Sequence, residues 1–193
     1  MKISALILAA GKSSRMGDNK QLLPLKKSTI LRSVIENALD TQAKEVCVVL
    51  GADADLIKKN IQDLPVKVVL NKNYEKGLSS SIIAGMEHVN EADAVLIILG
   101  DQPLISSNYW DYIISASKNH PLKIMASNYG GFKGVPALFP KKYFKELFKL
   151  KGDSGAKQLL NSIQDKVITI NSPVDLSDID TPEDYNKLIR NIE

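Results

Sequence analysis

Five apolar runs, none with more than one polar residue (Ser4, Lys67, Lys123), limit this chain's architecture more than any other feature: Ile3-Ala9, Val46-Leu50, Val66-Leu70, Ala94-Leu99 and Leu122-Ala126. They are continuous rather than alternating, the pattern of strands covered on both faces. Between them lie helical patterns at Thr29-Leu39, Ala54-Ile61, Ser80-Val89 and Ser107-Ala116. Strand and helix in alternation predict an α/β fold: a mainly parallel, twisted sheet with helices on both faces and right-handed crossovers. The 193 residues suit one domain with no internal repeat or linker, able to bury roughly 70% of the unfolded surface.

The C-terminal end predicts one more helix. Thr181 can cap it, Pro182 suits its first turn and Asp184 completes a capping box. Tyr185, Leu188, Ile189 and Ile192 then form an apolar stripe expected to dock on the sheet. Trp110, among Tyr109, Tyr112, Ile113 and Ile114, reads as core, and the single cysteine, Cys47, as a buried small hydrophobe.

Composition excludes several functions. A net charge of +3 without aromatic interleaving does not suit nucleic acid, and no apolar stretch is long enough for a bilayer. One cysteine forms no internal disulfide, and with no signal-peptide pattern after Lys2 the expected setting is cytoplasmic. His88 and His120 have no partner at metal or triad spacing and read as surface or satisfied histidines.

In such a sheet ligands sit beyond the carboxyl ends of the strands. The first run ends there in Leu8-Ala9-Ala10-Gly11-Lys12-Ser13-Ser14-Arg15-Met16-Gly17-Asp18-Asn19-Lys20. Gly11 and Gly17 are expected to supply unusual backbone angles. Ser13, Ser14 and the loop amides offer donors, while Arg15 and Lys20 bring positive charge, together an anion nest suited to a polyphosphate. The spacing is neither that of a P-loop nor of the dinucleotide fingerprint.

Three further motifs fall at or near the same edge. Asp101, in Gly100-Asp101-Gln102-Pro103, either caps a turn or holds a hard cation beside the phosphate loop. In Asp178-Ile179-Asp180-Thr181-Pro182, alternation puts Asp178 and Asp180 on one face, and with Thr181 as the cap Asp180 is free for a metal. Gly77-Leu78-Ser79-Ser80-Ser81 enters a helix whose N-terminal amides and hydroxyls either contact a nucleotide or simply cap it. The last block is Gly134-Val135-Pro136-Ala137-Leu138-Phe139 followed by the Gly152-Asp153-Ser154-Gly155 loop, which reads, from residues alone, as no more than a capped helix start.

The pattern Leu-x-x-Gly-x-Ser-x-Arg-Met-Gly-x-x-Lys from Leu8 to Lys20 resembles the nucleotidyltransferase superfamily. With Gly77 to Ser81, Gly100 to Pro103, Gly152 to Ala156 and Asp178 to Asp184, nearly the whole chain looks like its MobA-like branch, whose members act on molybdopterin. Ala10 stands where guanylyl-transferring relatives carry glycine, so the resemblance favours the cytidylyl branch and CTP over GTP. Ile83 and Lys157 depart from the usual polar residue and arginine.

The resemblance implies a Rossmann-like nucleotidyltransferase fold and transfer of CMP from CTP to the terminal phosphate of molybdopterin, with release of pyrophosphate. Arg15 would meet the leaving β- and γ-phosphates and Lys20 the α-phosphate. Asp101 and Asp180 would hold magnesium. Leu8, Ala9, Ala10, Gly11, Ser13, Ser14, Gly77, Ser79, Ser80 and Ser81 would line the nucleotide; Gly134, Gly152 and Asp153 would face the acceptor. It also implies a molybdenum hydroxylase as client. Guanylyl transfer, another phosphorylated acceptor, or a non-catalytic molybdopterin-binding maturation factor are the alternatives.

Overall fold

The structure, a computed structural model, describes residues 1–192; the side chains of Ser154 and Ile192 fall outside the described parts. The chain begins with β1 (Ile3–Ala9), a short hairpin of β2 (Pro24–Leu25) and β3 (Ser28–Thr29), and α1 (Ile30–Leu39). It continues through β4 (Glu45–Leu50), α2 (Ala54–Asn60), β5 (Lys67–Leu70), α3 (Leu78–Val89), β6 (Ala94–Leu99) and α4 (Ser107–Asn119). The C-terminal part adds β7 (Ile124–Asn128), β8 (Lys133–Pro140), α5 (Phe144–Leu147), α6 (Gly155–Ser162), β9 (Val167–Asn171) and α7 (Pro182–Ile192). Seven strands form one sheet in the order β5-β4-β1-β6-β8-β7-β9, parallel except where β8 runs antiparallel to β6 and β7.

The continuous apolar runs serve two layers at once. Along β1, Ile3, Ala5, Ile7 and Ala9 face a core shared with α1, α2 and α4, whereas Leu6 and Leu8 face the core under α3 and α6. Each fully buried leucine or isoleucine contributes about 1.5–3 kcal/mol relative to an exposed one. Trp110 and Cys47 are both fully buried, as expected, and burial pushes the Cys47 thiol up to about 12, which leaves it inert at neutral pH. His88 and His120 are exposed. Among the described residues no helix is long and apolar enough to cross a membrane.

The sequence reading departs from the structure in two places. Gly134 to Phe139, not counted among the apolar runs, form the body of β8, inserted between β6 and β7. Pro136 argued against a strand because it lacks a ladder donor. The register shift at Ala126/Ser127 accommodates it, and Ser127 Oγ donates 2.7 Å to the Pro136 carbonyl. The second departure is α7. Its predicted capping box forms, with Asp184 N donating to Thr181 Oγ1 and Thr181 N to Asp184 Oδ2. Its stripe, however, does not dock on the sheet: Leu188, Tyr185 and Ile189 pack with Met16, Leu25, Ile30 and Ile179. Tyr185 Oη donates 2.8 Å to the Pro24 carbonyl. The helix therefore braces the loop after β1, and the Ile192 side chain in that stripe lies outside the described parts.

Candidate active site

The loop after β1 is tied to its surroundings by the backbone. Ala10 O accepts from Ala52 N at 3.1 Å, a close crossing that requires Gly51, where a Cβ would lie 2.7 Å from both Ala10 O and the Tyr74 side chain. Ser13 takes a left-handed conformation (φ 52°), and its hydroxyl donates to Gln21 Oε1 at 3.1 Å and accepts from Lys20 N at 3.3 Å. Ser13 thus fastens the start of the loop to its end. Gly17 has the positive φ expected of it, at 81°. Gly11 does not: its φ is not positive, and a Cβ there would meet nothing within 4 Å. The fold would accept a side chain at Gly11, so neither packing nor backbone angle within the protein requires glycine there. Gly11→Ala should therefore leave the melting temperature nearly unchanged (within about 0.5 kcal/mol) while weakening triphosphate binding; parallel thermal melts and binding isotherms check it.

Four charged groups converge at the carboxyl edge of the sheet. Lys20 Nζ lies 2.5 Å from Asp101 Oδ2 and 2.8 Å from Asp180 Oδ1, and Arg15 Nη2 lies 2.8 Å from Asp180 Oδ2. Lys20 is 8% exposed. Burial works to lower its pKa, but the charges and hydrogen bonds of Asp101, then Asp180, together outweigh it and hold the ammonium above the usual lysine range. Arg15 stands in solvent, its side chain 72% exposed.

Asp180 reaches this point because Gln102 staples the C-terminal segment beside Asp101. The buried Gln102 Nε2 lies 2.9 Å from Tyr129 Oη, 2.7 Å from Leu176 O and 2.8 Å from Asp178 Oδ1, and Ile179 N donates 3.1 Å to Asp101 O. Asp178 and Asp180, expected on one face of an extended segment, have different partners, Gln102 and Lys20, and the segment is not a strand. Asp178 is exposed as a residue, but its carboxyl turns inward onto Gln102; burial, and after it the charge of Asp101, push it up to about 6.

Among the described residues no three or more His, Cys, Asp or Glu side chains gather as a metal cluster. A site of two carboxylates completed by substrate phosphates and water is the usual manner of holding magnesium. Asp101 and Asp180 fit it: both point at one cation, and Asp101 Oδ1 is buried without a hydrogen-bond partner.

Beside this cluster opens a cleft of about 260 Å³, and nine of the residues expected at the site line it: Leu8, Ala9, Ala10, Gly11, Lys20, Gly77, Ser81, Asp101 and Asp153. Gln21, Tyr74, Leu78 and Leu99 also line it, though the sequence reading gave them no role. Tyr74 sits beneath Lys12, whose ammonium is 5.9 Å from the ring centroid and 2.5 Å from Glu75. Such an exposed pair contributes little in water.

The remaining expected residues lie elsewhere. Ser14 is exposed, Asp180 stands behind Lys20, and Ser79 is buried with its Oγ unpartnered. Ser80 Oγ is engaged with Asn71 and the Gly77 carbonyl. Gly152 (φ 68°) packs against Gly77, where a Cβ would come 2.6 Å from the Gly152 carbonyl carbon. Gly134 belongs to β8 beneath the Tyr129 ring, 2.7 Å from any Cβ placed there, and does not line the cleft. Ile83 is not part of the lining either, and Lys157 Nζ lies 4.1 Å from the Phe132 ring centroid.

A phosphate-sized loop, a buried lysine and two convergent carboxylates at the carboxyl edge of a mostly parallel sheet define the Rossmann-like nucleotidyltransferase class. The MobA-like NTP transferase domain family matches residues 5–167, and the chain belongs to that family. It is similar to the purine catabolism protein PucB of Bacillus subtilis, 32% identical over 96% of this chain and 95% of the relative. It is also similar to the molybdenum cofactor cytidylyltransferase of Escherichia coli, at 26% over 95% and 93%. The solved Rv0371c of Mycobacterium tuberculosis in complex with manganese superposes with a TM-score of 0.82 at 27% identity, covering 98% of this chain and 99% of that one.

Proposed function

We propose that this protein transfers CMP from CTP to the terminal phosphate of a phosphorylated acceptor, molybdopterin, and releases pyrophosphate. The observation that carries the reading is the buried Lys20 ammonium gripped by Asp101 and Asp180 beside the cleft walled by Gly11. Nucleotidyl transfer joins two anions, and its acceptor oxygen is already charged, so positioning and charge neutralisation outweigh base catalysis. No histidine lines the cleft, in keeping with that demand.

Lys20 would place its charge at the α-phosphate, where negative charge builds in the transition state. Arg15, at the solvent side of Asp180, is long and exposed enough to follow the departing pyrophosphate. Asp101 and Asp180 would hold magnesium, which screens the approach of one phosphate to the other. The Ala9-Ala10 backbone and Ser81 would line the nucleotide, and Asp153, on the wall made by the Gly152–Ser154 turn, would face the acceptor. Manganese in the Rv0371c complex supports a divalent cation, and the cytidylyltransferase relative supports CTP and a molybdopterin acceptor. A cytoplasmic setting and a molybdenum hydroxylase as client go with this reading.

Isothermal titration with CTP, GTP, UTP and ATP in magnesium, without acceptor, tests the nucleotide choice. CTP is expected to bind at least about tenfold more tightly than GTP, a difference of ~1.4 kcal/mol. Tighter GTP binding would move the protein to the guanylyl branch; no binding would leave a carrier of the acceptor.

A further inference from the structure

Asn71 follows β5, is 3% exposed and takes no part in the chemistry described above. Its amide orientation is fixed by the network, because Oδ1 accepts from Asn73 N at 2.8 Å and Nδ2 must then face α3. The two N–H groups on Nδ2 reach the hydroxyls of Ser80 and Ser81, at 2.9 and 3.0 Å. Ser80 spends its own proton on backbone carbonyls, 2.8 Å to Gly77 O and 2.9 Å to Asn73 O. Ser81 differs. Its oxygen accepts from Asn71, yet among the described residues its O–H makes no hydrogen bond of its own. A hydroxyl that already accepts completes its bonding by donating. Ser81 is 3% exposed and lines the cleft, so the cleft is where that proton can go.

We infer that Asn71 is a positioning residue that sets the polarity of Ser81, holding its hydroxyl as a donor toward an acceptor atom of the bound nucleoside triphosphate. The inference rests on the nucleotidyltransferase reading of the cleft. It separates tethering from polarity, because an aspartate at this position keeps the first and reverses the second. Asn71→Asp has the same shape, still accepts from Asn73 N, and offers only acceptors to the two serines. Both hydroxyls must then donate to it, which withdraws the Ser81 proton from the cleft.

The test is a double-mutant cycle on CTP affinity in magnesium, with wild type, Asn71→Asp, Ser81→Ala and the double variant. Each single change is expected to weaken CTP about tenfold, and the double variant to be no weaker than the weaker single. Losses that multiply to about a hundredfold would assign the Asn71→Asp effect to its added negative charge and overturn the inference. An unchanged affinity in either single variant overturns it as well. Ser81→Ala leaves the Asn71–Ser80 tether intact, so that arm stands even if Asn71→Asp does not fold. Failure of the wild type to bind any of CTP, GTP, UTP or ATP overturns the nucleotidyltransferase reading together with the inference, whereas wild-type binding with an unaltered Asn71→Asp variant overturns the inference alone.

Discussion

Asp101→Asn is expected to lower turnover about a thousandfold, ~4 kcal/mol of transition-state stabilisation, with the folded state retained. Asparagine fills the same volume at a position whose side chain is 16% exposed. Lys20 keeps its 2.8 Å contact with Asp180, so the substitution does not strand an unpaired buried ammonium. What is lost is one of two charges aimed at the cation position, and with it the oxygen, Asp101 Oδ1, that has no partner among the described residues. Manganese affinity measured in the presence of CTP should fall alongside turnover, with thermal melts within a few degrees of wild type. Near-normal turnover in the purified variant would remove Asp101 from the site.

Lys20→Met should have the second largest effect, and a divided one. Without the ammonium, Asp101 loses its ion-pair partner and Asp180 keeps only the exposed Arg15, which destabilises the metal-free protein. Breaking a buried pair this way costs about 3 kcal/mol. The sign follows from the raised lysine pKa: the stability Lys20 adds is complete at neutral pH and lost only as pH climbs past the ordinary lysine range. The variant should therefore be weaker at neutral pH and regain stability on adding magnesium or manganese. In the absence of nucleotide it should bind manganese more tightly than wild type, since no ammonium competes for the two carboxylates. Turnover should still fall about a hundredfold or more, because the charge at the α-phosphate is gone. Weaker manganese binding than wild type, with no metal rescue of the melt, would refute this account of Lys20.

Much of this was legible from the chain. Apolar runs of the two-faced kind located five strands, and the Thr181-Asp184 pair placed the last helix to its first residue. β8 was hidden by Pro136, whose missing donor is tolerated only through a register shift that no local pattern announces. The docking of α7 was misjudged because an apolar stripe says that a face is buried and not against what; Met16 and Ile179, far apart in sequence, supply the surface.

At the site, the residue types were readable but not their pairing. Lys20 and Asp101 are 81 residues apart, and their contact depends on the parallel placement of β1 beside β6. Gln102, the staple that brings Asp180 to Lys20, stood in the Gly100-Asp101-Gln102-Pro103 motif without a role of its own. Gly11 was read as a demand of the backbone, while the structure shows open space above it.

The most direct measurement is pyrophosphate release by the purified protein with magnesium and molybdenum cofactor, supplied separately with CTP, GTP, ATP or UTP. Release with CTP, and not with the others, is the expected result. Absence of release with every nucleotide, while the cofactor still binds, would contradict nucleotidyl transfer and make the protein a carrier.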